Sequence, residues 1–304
     1  MTLDLDGLLA FFTAATPAGA DATAAAASAP PLPSAPLHLD IDIRARKGHA
    51  LGIAFTDLST KSQVRRTAAT FDALKMAIFG GTFDGGIGLD GSGREPRFDW
   101  RGKFARLDVP ALVAFAGSPG TLTGKLGGTV AISAAGADPV TAMKRARGTA
   151  RVVINDGKVP HLDLVRTAVL AFGRPAGDRP AGSGEVFSQL AASLAVAGQT
   201  LSTRDLTFAS RDLDMTGSGT LALATEALDV DANLILSREL SAQSGRDLYR
   251  LAREGDRVVV PAHITGSVAS PSVMVDVKAA LQRAIRNRAE DEIRNFFNRL
   301  GKPK

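Results

Sequence analysis

The clearest stretch of this sequence reads Leu37-His38-Leu39-Asp40-Ile41-Asp42-Ile43-Arg44. Apolar and polar residues alternate in it, which places apolar side chains on one face of a strand and polar side chains on the other. The same alternation returns at 213–216, 220–223 and 228–234. Strands with one apolar face and one solvent-exposed polar face are typical of antiparallel sheets. The sequence therefore predicts a mainly β chain with a few short helices (α+β), in which an antiparallel sheet carries one apolar face.

Shifts in composition divide the chain into segments. Residues 1–16 are interpreted as the end of a preceding segment, and residues 17–36, rich in Ala and Pro, as a flexible linker. Residues 37–275 are predicted to form one β domain, followed by a basic amphipathic helix and tail at 276–304. Strands are predicted at 37–46, 50–58, 66–78, 82–90, 97–106, 121–133, 148–154, 186–197, 200–209, 212–224, 226–236 and 257–269.

Helices and turns are predicted between these strands, with short helices at 110–116, 138–147, 161–172 and 237–255. Asp138-Pro139 has the residue types that begin a helix, with Asp as the N-cap and Pro in the first turn. Asn155-Asp156-Gly157 directly follows the predicted strand 148–154 and is a strong hairpin signal. We therefore expect the chain to reverse there.

The composition argues against several functional classes. The chain has no Cys, and its four histidines, His38, His49, His161 and His263, are dispersed along it, so no metal site is predicted. Aromatic residues make up only 5% of the chain, too few for the stacking platforms of single-stranded nucleic-acid binding. We expect no cofactor and no nucleic-acid partner.

Catalytic patterns are equally weak. Two carboxylates at positions i and i+2 of a strand lie on one face, as a general acid–base pair requires, but a solvated strand face has the same pattern. The pairs are Asp4/Asp6, Asp40/Asp42, Asp212/Asp214 and Asp229/Asp231. The glycine-rich stretch 80–86 lacks the Lys followed by Ser or Thr that ends a phosphate loop. The protein is predicted not to be an enzyme; the alternative, a hydrolase, requires a His within about 4 Å of an Asp in an open cleft.

The carboxy-terminal segment carries the charge of the protein. Residues 278–304 contain eight Lys and Arg against three Asp and Glu, which accounts for the whole net charge of +5. An apolar stripe with helical spacing runs along the same segment. Its members are Val277, Leu281, Ile285, Ala289, Ile293, Phe297 and Leu300. This helix is predicted to dock on the protein's own sheet as a lid; the alternative is contact with an anionic membrane surface.

A series of short motifs resembles a known family. The series consists of Ala77-Ile78-Phe79-Gly80-Gly81, Leu122-Thr123-Gly124-Lys125-Leu126, Arg147-Gly148-Thr149-Ala150, Asn155-Asp156-Gly157-Lys158-Val159, Thr216-Gly217-Ser218-Gly219-Thr220 and Val260-Pro261-Ala262-His263-Ile264-Thr265-Gly266-Ser267. In order, over residues 77–275, these motifs resemble the carboxy-terminal region of the AsmA family of bacterial envelope proteins. The amino-terminal membrane helix of that family is missing from this sequence.

The resemblance implies both a shape and a function. It implies an elongated, curled antiparallel sheet that forms an apolar trough, in a periplasmic protein tethered to the inner membrane in its full-length form. The implied function is non-enzymatic lipid binding and transfer in phospholipid transport and outer-membrane assembly. The implied partners are phospholipid or another acyl lipid and proteins of the envelope, with membrane contact through the carboxy-terminal helix or the missing anchor.

Candidate site residues follow from the alternation and the resemblance together. The trough is expected to be lined by Leu39, Ile41, Ile43, Leu122, Leu126, Val130, Leu213, Met215, Leu221, Leu228, Val230 and Leu234. The lid or membrane helix is expected to act through Ile285, Ile293, Phe297, Arg286 and Arg294. Two alternatives stay open: a sheet that closes on itself, so that the apolar face is core, and a scaffold for outer-membrane protein assembly that receives partner strands at its sheet edges.

Overall fold

The computed structural model describes residues 2–4, 38–50, 52–171, 182–243, 253–254, 256–276, 278–279 and 282. The chain forms two compact units. Unit 1 comprises Met1–Asp108, Gly127–Ala150 and Ala195–Gln199, and unit 2 comprises Val109–Leu126, Arg151–Leu194 and Thr200–Lys304. The predicted linker 17–36 lies outside the described residues, as do nearly all of the predicted segments 1–16 and 276–304.

The described part of the chain is dominated by strands. They are β1 Thr2–Asp4, β2 His38–Ala50, β3 Ile53–Arg65, β4 Ala68–Ile78, β5 Gly81–Asp90, β6 Arg97–Asp108, β7 Lys125–Ala135, β8 Arg147–Val159, β9 Glu185–Ala197, β10 Thr200–Ala209, β11 Leu213–Ala222, β12 Ala227–Leu236, β13 Arg253–Glu254, β14 Arg257–Ser267 and β15 Pro271–Val275. The helices are short: α1 Val109–Phe115, α2 Pro139–Lys144, α3 Leu164–Ala171 and α4 Arg238–Gln243. This confirms the predicted mainly β composition with a few short helices.

Neighbouring strands in the sheet are mostly neighbours in sequence. In unit 1, β2 to β6 pair antiparallel one after another, and the short strand β1 pairs parallel with β2. In unit 2, β10, β11, β12 and β14 pair antiparallel in that order, and β14 also pairs with β13 and β15. The strand order of the described residues has two ends, so the sheet is not closed.

Bulges interrupt the predicted alternation in unit 1. Asp57 in β3, Ala73 in β4 and Arg106 in β6 have positive φ angles of 53°, 48° and 55°. The pairing register shifts beside the first two. An extra residue in a strand turns the following side chains to the other face. Phe55 and Leu58, three residues apart, are therefore both buried on the same face.

The predicted hairpin at Asn155-Asp156-Gly157 is wrong, because strand β8 runs straight through these residues. Asp156 takes a positive φ of 52° inside the strand. Gly157 has no room for a side chain: a Cβ there would overlap the Thr123 carbonyl oxygen and the Phe187 ring. The glycine of this motif lets strand β8 pass close to Thr123 and Phe187. Tertiary packing therefore overrides the local preference of these residues for a turn.

The main hydrophobic core lies in unit 2. Strand residues such as Leu213, Leu234 and Val260 are at most 1% exposed and pack in one cluster with Val109 of α1 and Leu164 of α3. Helix α3 packs on β12 and β15, and α4 packs on β14. In this unit, helices therefore cover the apolar strand residues.

The predicted cap at Asp138 is confirmed. Its carboxylate accepts hydrogen bonds from the Thr141 backbone N–H at 2.9 Å and from the Thr141 hydroxyl at 2.7 Å. Pro139 occupies the first turn of α2, where its missing N–H is not needed. The helix ends at Lys144, three residues before the predicted end.

One arginine connects three strands of unit 2 through hydrogen bonds. Arg257, at the start of β14, donates to the Asp214 carboxylate of β11 at 2.7 Å. It also donates to the backbone carbonyl oxygens of Leu236 at 2.8 Å and Ile235 at 3.0 Å in β12. Because the guanidinium makes these three hydrogen bonds, few of its N–H donors remain for hydrogen bonds with water.

Replacing Arg257 with glutamine is expected to lower the free energy of unfolding by about 1–2 kcal/mol, because charged and carbonyl hydrogen bonds are lost together. Urea unfolding followed by circular dichroism measures the change. Arg238→Gln is the matched control, since its ion pair with Asp256 is formed by an Arg side chain that is 76% exposed. An equal loss of stability in both variants would contradict the assigned role of Arg257.

Candidate functional site

The candidate site is the apolar face of unit 1, which two rows of paired strand residues define. Residues opposite one another in antiparallel strands share a face of the sheet. The first row crosses β2 to β6 as Leu39, Val64, Ala69, Leu89 and Phe98, and the second as Ile41, Ser62, Phe71, Ile87 and Trp100. These ten residues are the apolar face.

The apolar face is incompletely covered. Leu39 is 47% exposed and Ile41 is 38% exposed. Of the other apolar members, only Ala69 is fully buried, and the remaining six are half-buried. The contacts of α3 and α4 with strands lie in unit 2. All ten members of the apolar face are strand residues.

An aromatic cluster supports one end of the apolar face. The ring centroid of Phe83 lies 5.9 Å from that of Trp100 and 5.2 Å from that of Phe104, and Trp100 meets Phe104 edge-on at 5.6 Å. Phe83 is only 1% exposed, whereas the other two rings are half-buried. Tilted and edge-on arrangements of this kind are favourable for aromatic pairs. The cluster therefore holds Trp100 firmly in place.

One polar group interrupts the apolar face. Ser62 lies in the second row between Ile41 and Phe71 and is 2% exposed. Its hydroxyl oxygen has no hydrogen-bond partner among the residues that the structure describes. Because a buried hydroxyl without a partner destabilises a protein, Ser62 is a polar defect within the apolar face.

The predicted trough residues fall into three environments. Leu39 and Ile41 are exposed, and Ile43, Leu221 and Leu228 are half-buried. Val130 is buried in unit 1, and Leu213, Met215, Val230 and Leu234 are buried in the core cluster of unit 2. Leu122 and Leu126 pack against that cluster. Only unit 1 therefore presents large apolar side chains of the predicted set at the surface.

A known protein family matches the strand-rich part of the chain that contains the apolar face. The AsmA family model matches residues 12–197, which is more than half of the chain. The chain belongs to the AsmA family. No curated protein and no solved structure matches it. The matched range contains β2 to β9 and thus every strand of the apolar face. Membership of the AsmA family is consistent with an envelope-related function.

The sequence prediction for this AsmA-family chain missed five large members of the apolar face: Phe71, Ile87, Leu89, Phe98 and Trp100. A signal for two of them was present, since Arg97-Phe98-Asp99-Trp100 alternates as clearly as β2 does. Bulges and glycines obscure the alternation in β4 and β5, where Gly85, Gly86 and Gly88 separate the apolar residues. The predicted helix residues Ile285, Ile293, Phe297, Arg286 and Arg294 lie outside the described residues.

The opposite, polar face of the same strands carries a shallow groove of about 790 Å³. Gly86 and Gly88 form its floor, and Asp72, Asp99 and Arg101 are among its walls. Asp90 lies at its end, where hydrogen bonds from the Ser92 side chain and backbone N–H lower the pKa of the Asp90 carboxyl. Carboxylates outnumber cations there, which disfavours a phosphate group in the groove.

Two described histidines lie within about 4 Å of an aspartate, the distance that the hydrolase alternative requires: His38, whose Nε2 atom is 3.3 Å from Oδ2 of Asp40 at the exposed start of β2, and His263. The Nδ1 atom of His263 is 2.9 Å from Oδ1 of Asp231, and its Nε2 atom is 3.5 Å from Oδ1 of Asp229. The two Asp side chains are 85% and 70% exposed. Ser218 pairs with Asp231 from the strand on the other side, so the carboxylate stands between the hydroxyl and the imidazole. A nucleophilic serine needs the imidazole itself as its base, and this order does not supply it.

The described ranges lack two further features. No group of three or more His, Cys, Asp or Glu side chains is arranged there to hold a metal ion. None of the helices in the same ranges is long and apolar enough to cross a membrane. The apolar face of unit 1 therefore remains the strongest candidate site of this AsmA-family chain.

Proposed function

We propose that this AsmA-family protein is a non-enzymatic module that binds and transfers acyl lipid, and that the apolar face of unit 1 contacts the acyl chains. A single observation supports this most directly: eight large apolar side chains, set in two adjacent rows across five strands, stay at least partly exposed. Contiguous apolar surface of this kind is uncommon on monomers and marks a place where something apolar binds.

The chemistry of the face suits an acyl chain. Each buried CH2 group of a lipid contributes about 0.8 kcal/mol, so an acyl chain laid across several strands gains substantial binding energy. None of the ten residues of the apolar face is charged, so an acyl chain that binds there buries no charged side chain.

The wider role follows from the family. Phospholipid is the proposed lipid, and phospholipid transport and outer-membrane assembly are the proposed processes. The proposed location is the periplasm, with the full-length protein tethered to the inner membrane and its apolar sheet curled into an elongated trough. Family membership and the uncovered face support these proposals together.

The proposed function is tested by lipid content. The full chain, purified without detergent, is expected to carry phospholipid that native mass spectrometry detects. In the double variant Leu39→Asp/Ile41→Asp, about tenfold less lipid is expected, because each new carboxylate stands where an acyl chain would lie and a tenfold loss corresponds to about 1.4 kcal/mol. Both positions are exposed, so the fold should tolerate the change.

Thr82→Asp is the matched control, because it adds a carboxylate to an exposed position of β5 in the same unit. Its lipid content should equal that of the unmodified chain. The proposal fails if the unmodified chain carries no lipid, or if the double variant keeps the same amount. A protein cross-linked in place of lipid would instead favour the scaffold alternative.

A further inference from the structure

The outer edge of strand β2 is largely unpaired within the described chain. One side of β2 pairs with β3 along its whole length. On the other side, β1 pairs only with Lys47, Gly48 and His49. Within residues 40–46, every second residue directs its backbone N–H and C=O away from β3, and these groups have no strand partner in the described ranges. Such an edge is a template for another strand.

The charge pattern of this edge is complementary to itself. Asp40, Asp42, Arg44 and Arg46 all project from the same face of β2, and all four are exposed. The two carboxylates come first and the two guanidinium groups follow, with Ile43 at the midpoint. A second copy of the strand, turned by 180° about Ile43, places each carboxylate opposite an arginine.

We propose that two copies of this protein pair antiparallel through their β2 edges, about a two-fold axis at Ile43. In this register, Asp40 faces Arg46 of the other copy and Asp42 faces Arg44. On the opposite face, Ile41 meets Ala45 and Ile43 meets its own counterpart. Opposite charges directly across two antiparallel strands stabilise the pair. The interface is isologous, as closed dimers require.

Other registers are unfavourable. A shift by two residues in one direction places Asp42 against Asp42, and in the other direction it places Arg44 against Arg44. Like charges directly opposite each other destabilise a strand pair. A shift by one residue would set the apolar face of one copy against the polar face of the other. The sequence of the edge thus selects the register centred on Ile43.

The pattern also favours a second copy over a different occupant. Charges protect sheet edges from unwanted pairing, and an edge of one sign would repel another copy of itself. This edge carries two charges of each sign in mirror order, so a second copy is attracted. The two-fold axis is perpendicular to the sheet and keeps both apolar faces on the same side. Pairing through the β2 edge requires no lipid.

Charge exchange tests the proposed dimer. The unmodified 304-residue chain is expected to sediment as a dimer at micromolar concentration in analytical ultracentrifugation. The variants Asp40→Arg/Asp42→Arg and Arg44→Asp/Arg46→Asp should each dissociate at least tenfold more readily, because like charges then face each other. An equimolar mixture of the two should recover the dimer, since every pair across the edge is again opposite in sign. Circular dichroism checks that each variant is folded.

A single cysteine tests the register. The chain contains no Cys, so Ile43→Cys introduces the only thiol. Opposed Cα atoms in antiparallel strands lie about 4.5–5.5 Å apart, within the range that a disulfide spans, so mild oxidation should link the two copies. Gln63→Cys, exposed on the other face of the neighbouring strand β3, should stay monomeric on a non-reducing gel. A monomeric unmodified chain, or a mixture that fails to dimerise, would overturn the proposal.

Discussion

Replacing Phe187 with alanine is expected to lower the free energy of unfolding by about 3–5 kcal/mol, the range for removing a buried phenylalanine. Phe187 is 2% exposed, and its ring centroid lies 5.3 Å from that of Phe208. The ring also fills the space above Gly157, which has no side chain to expand into the vacancy. The variant therefore leaves a cavity that its neighbours cannot close.

Chemical unfolding monitored by circular dichroism measures this effect. Val186→Ala is the control on the same strand, because Val186 is 64% exposed and points away from the core. It should change the free energy of unfolding by less than about 0.5 kcal/mol. If Phe187→Ala is no more destabilising than the control, the core of unit 2 is not packed as described.

Replacing Gly102 with valine is expected to be similarly damaging, lowering the free energy of unfolding by about 3 kcal/mol or preventing folding. A Cβ at this position would lie 2.5 Å from Cζ of Phe83 and 2.9 Å from the carbonyl oxygen of Asp84. Phe83 is held by two other aromatic rings and cannot move aside. The missing side chain at Gly102 is therefore what makes room for the aromatic cluster.

Gly88→Val provides the comparison for this prediction. Gly88 lies on the polar face of the adjacent strand, where a Cβ would meet only the Asp99 Cβ at an ordinary 3.7 Å. Valine also favours extended backbone more than glycine does, so Gly88→Val should be neutral or slightly stabilising. Thermal unfolding of the two variants should differ clearly. Equal melting temperatures would show that space around Phe83 is not limiting.

The strands were predictable because alternation is a local property of the sequence. Strand β2 was visible from its first eight residues, and the cap at Asp138 from two. The bulge at Asp57 could not be predicted, because no pattern in the local sequence indicates that an aspartate takes a positive φ. The Asn-Asp-Gly motif misled for the related reason that its neighbours in space, Thr123 and Phe187, are far away in sequence.

The candidate site shows a second limit of sequence patterns. Ile41 and Val230 occupy the same kind of position, an apolar residue between two aspartates, yet Ile41 is 38% exposed and Val230 is only 8% exposed. Alternation states which side chains share a face, but it does not state what covers that face. In unit 2 the cover comes from helices whose position depends on tertiary packing. The family resemblance, carried by ordered motifs, was predictable and is confirmed.

The sequential pairing of β2 to β6 has an evolutionary consequence. Each of these strands pairs with its neighbours in sequence, so the pairing of one hairpin does not depend on strands farther along the chain. A duplicated or deleted hairpin would leave every other pairing intact, much as repeats are gained and lost in solenoid proteins. The number of strands in the sheet can therefore change by whole hairpins among relatives, while the other strand pairings stay the same.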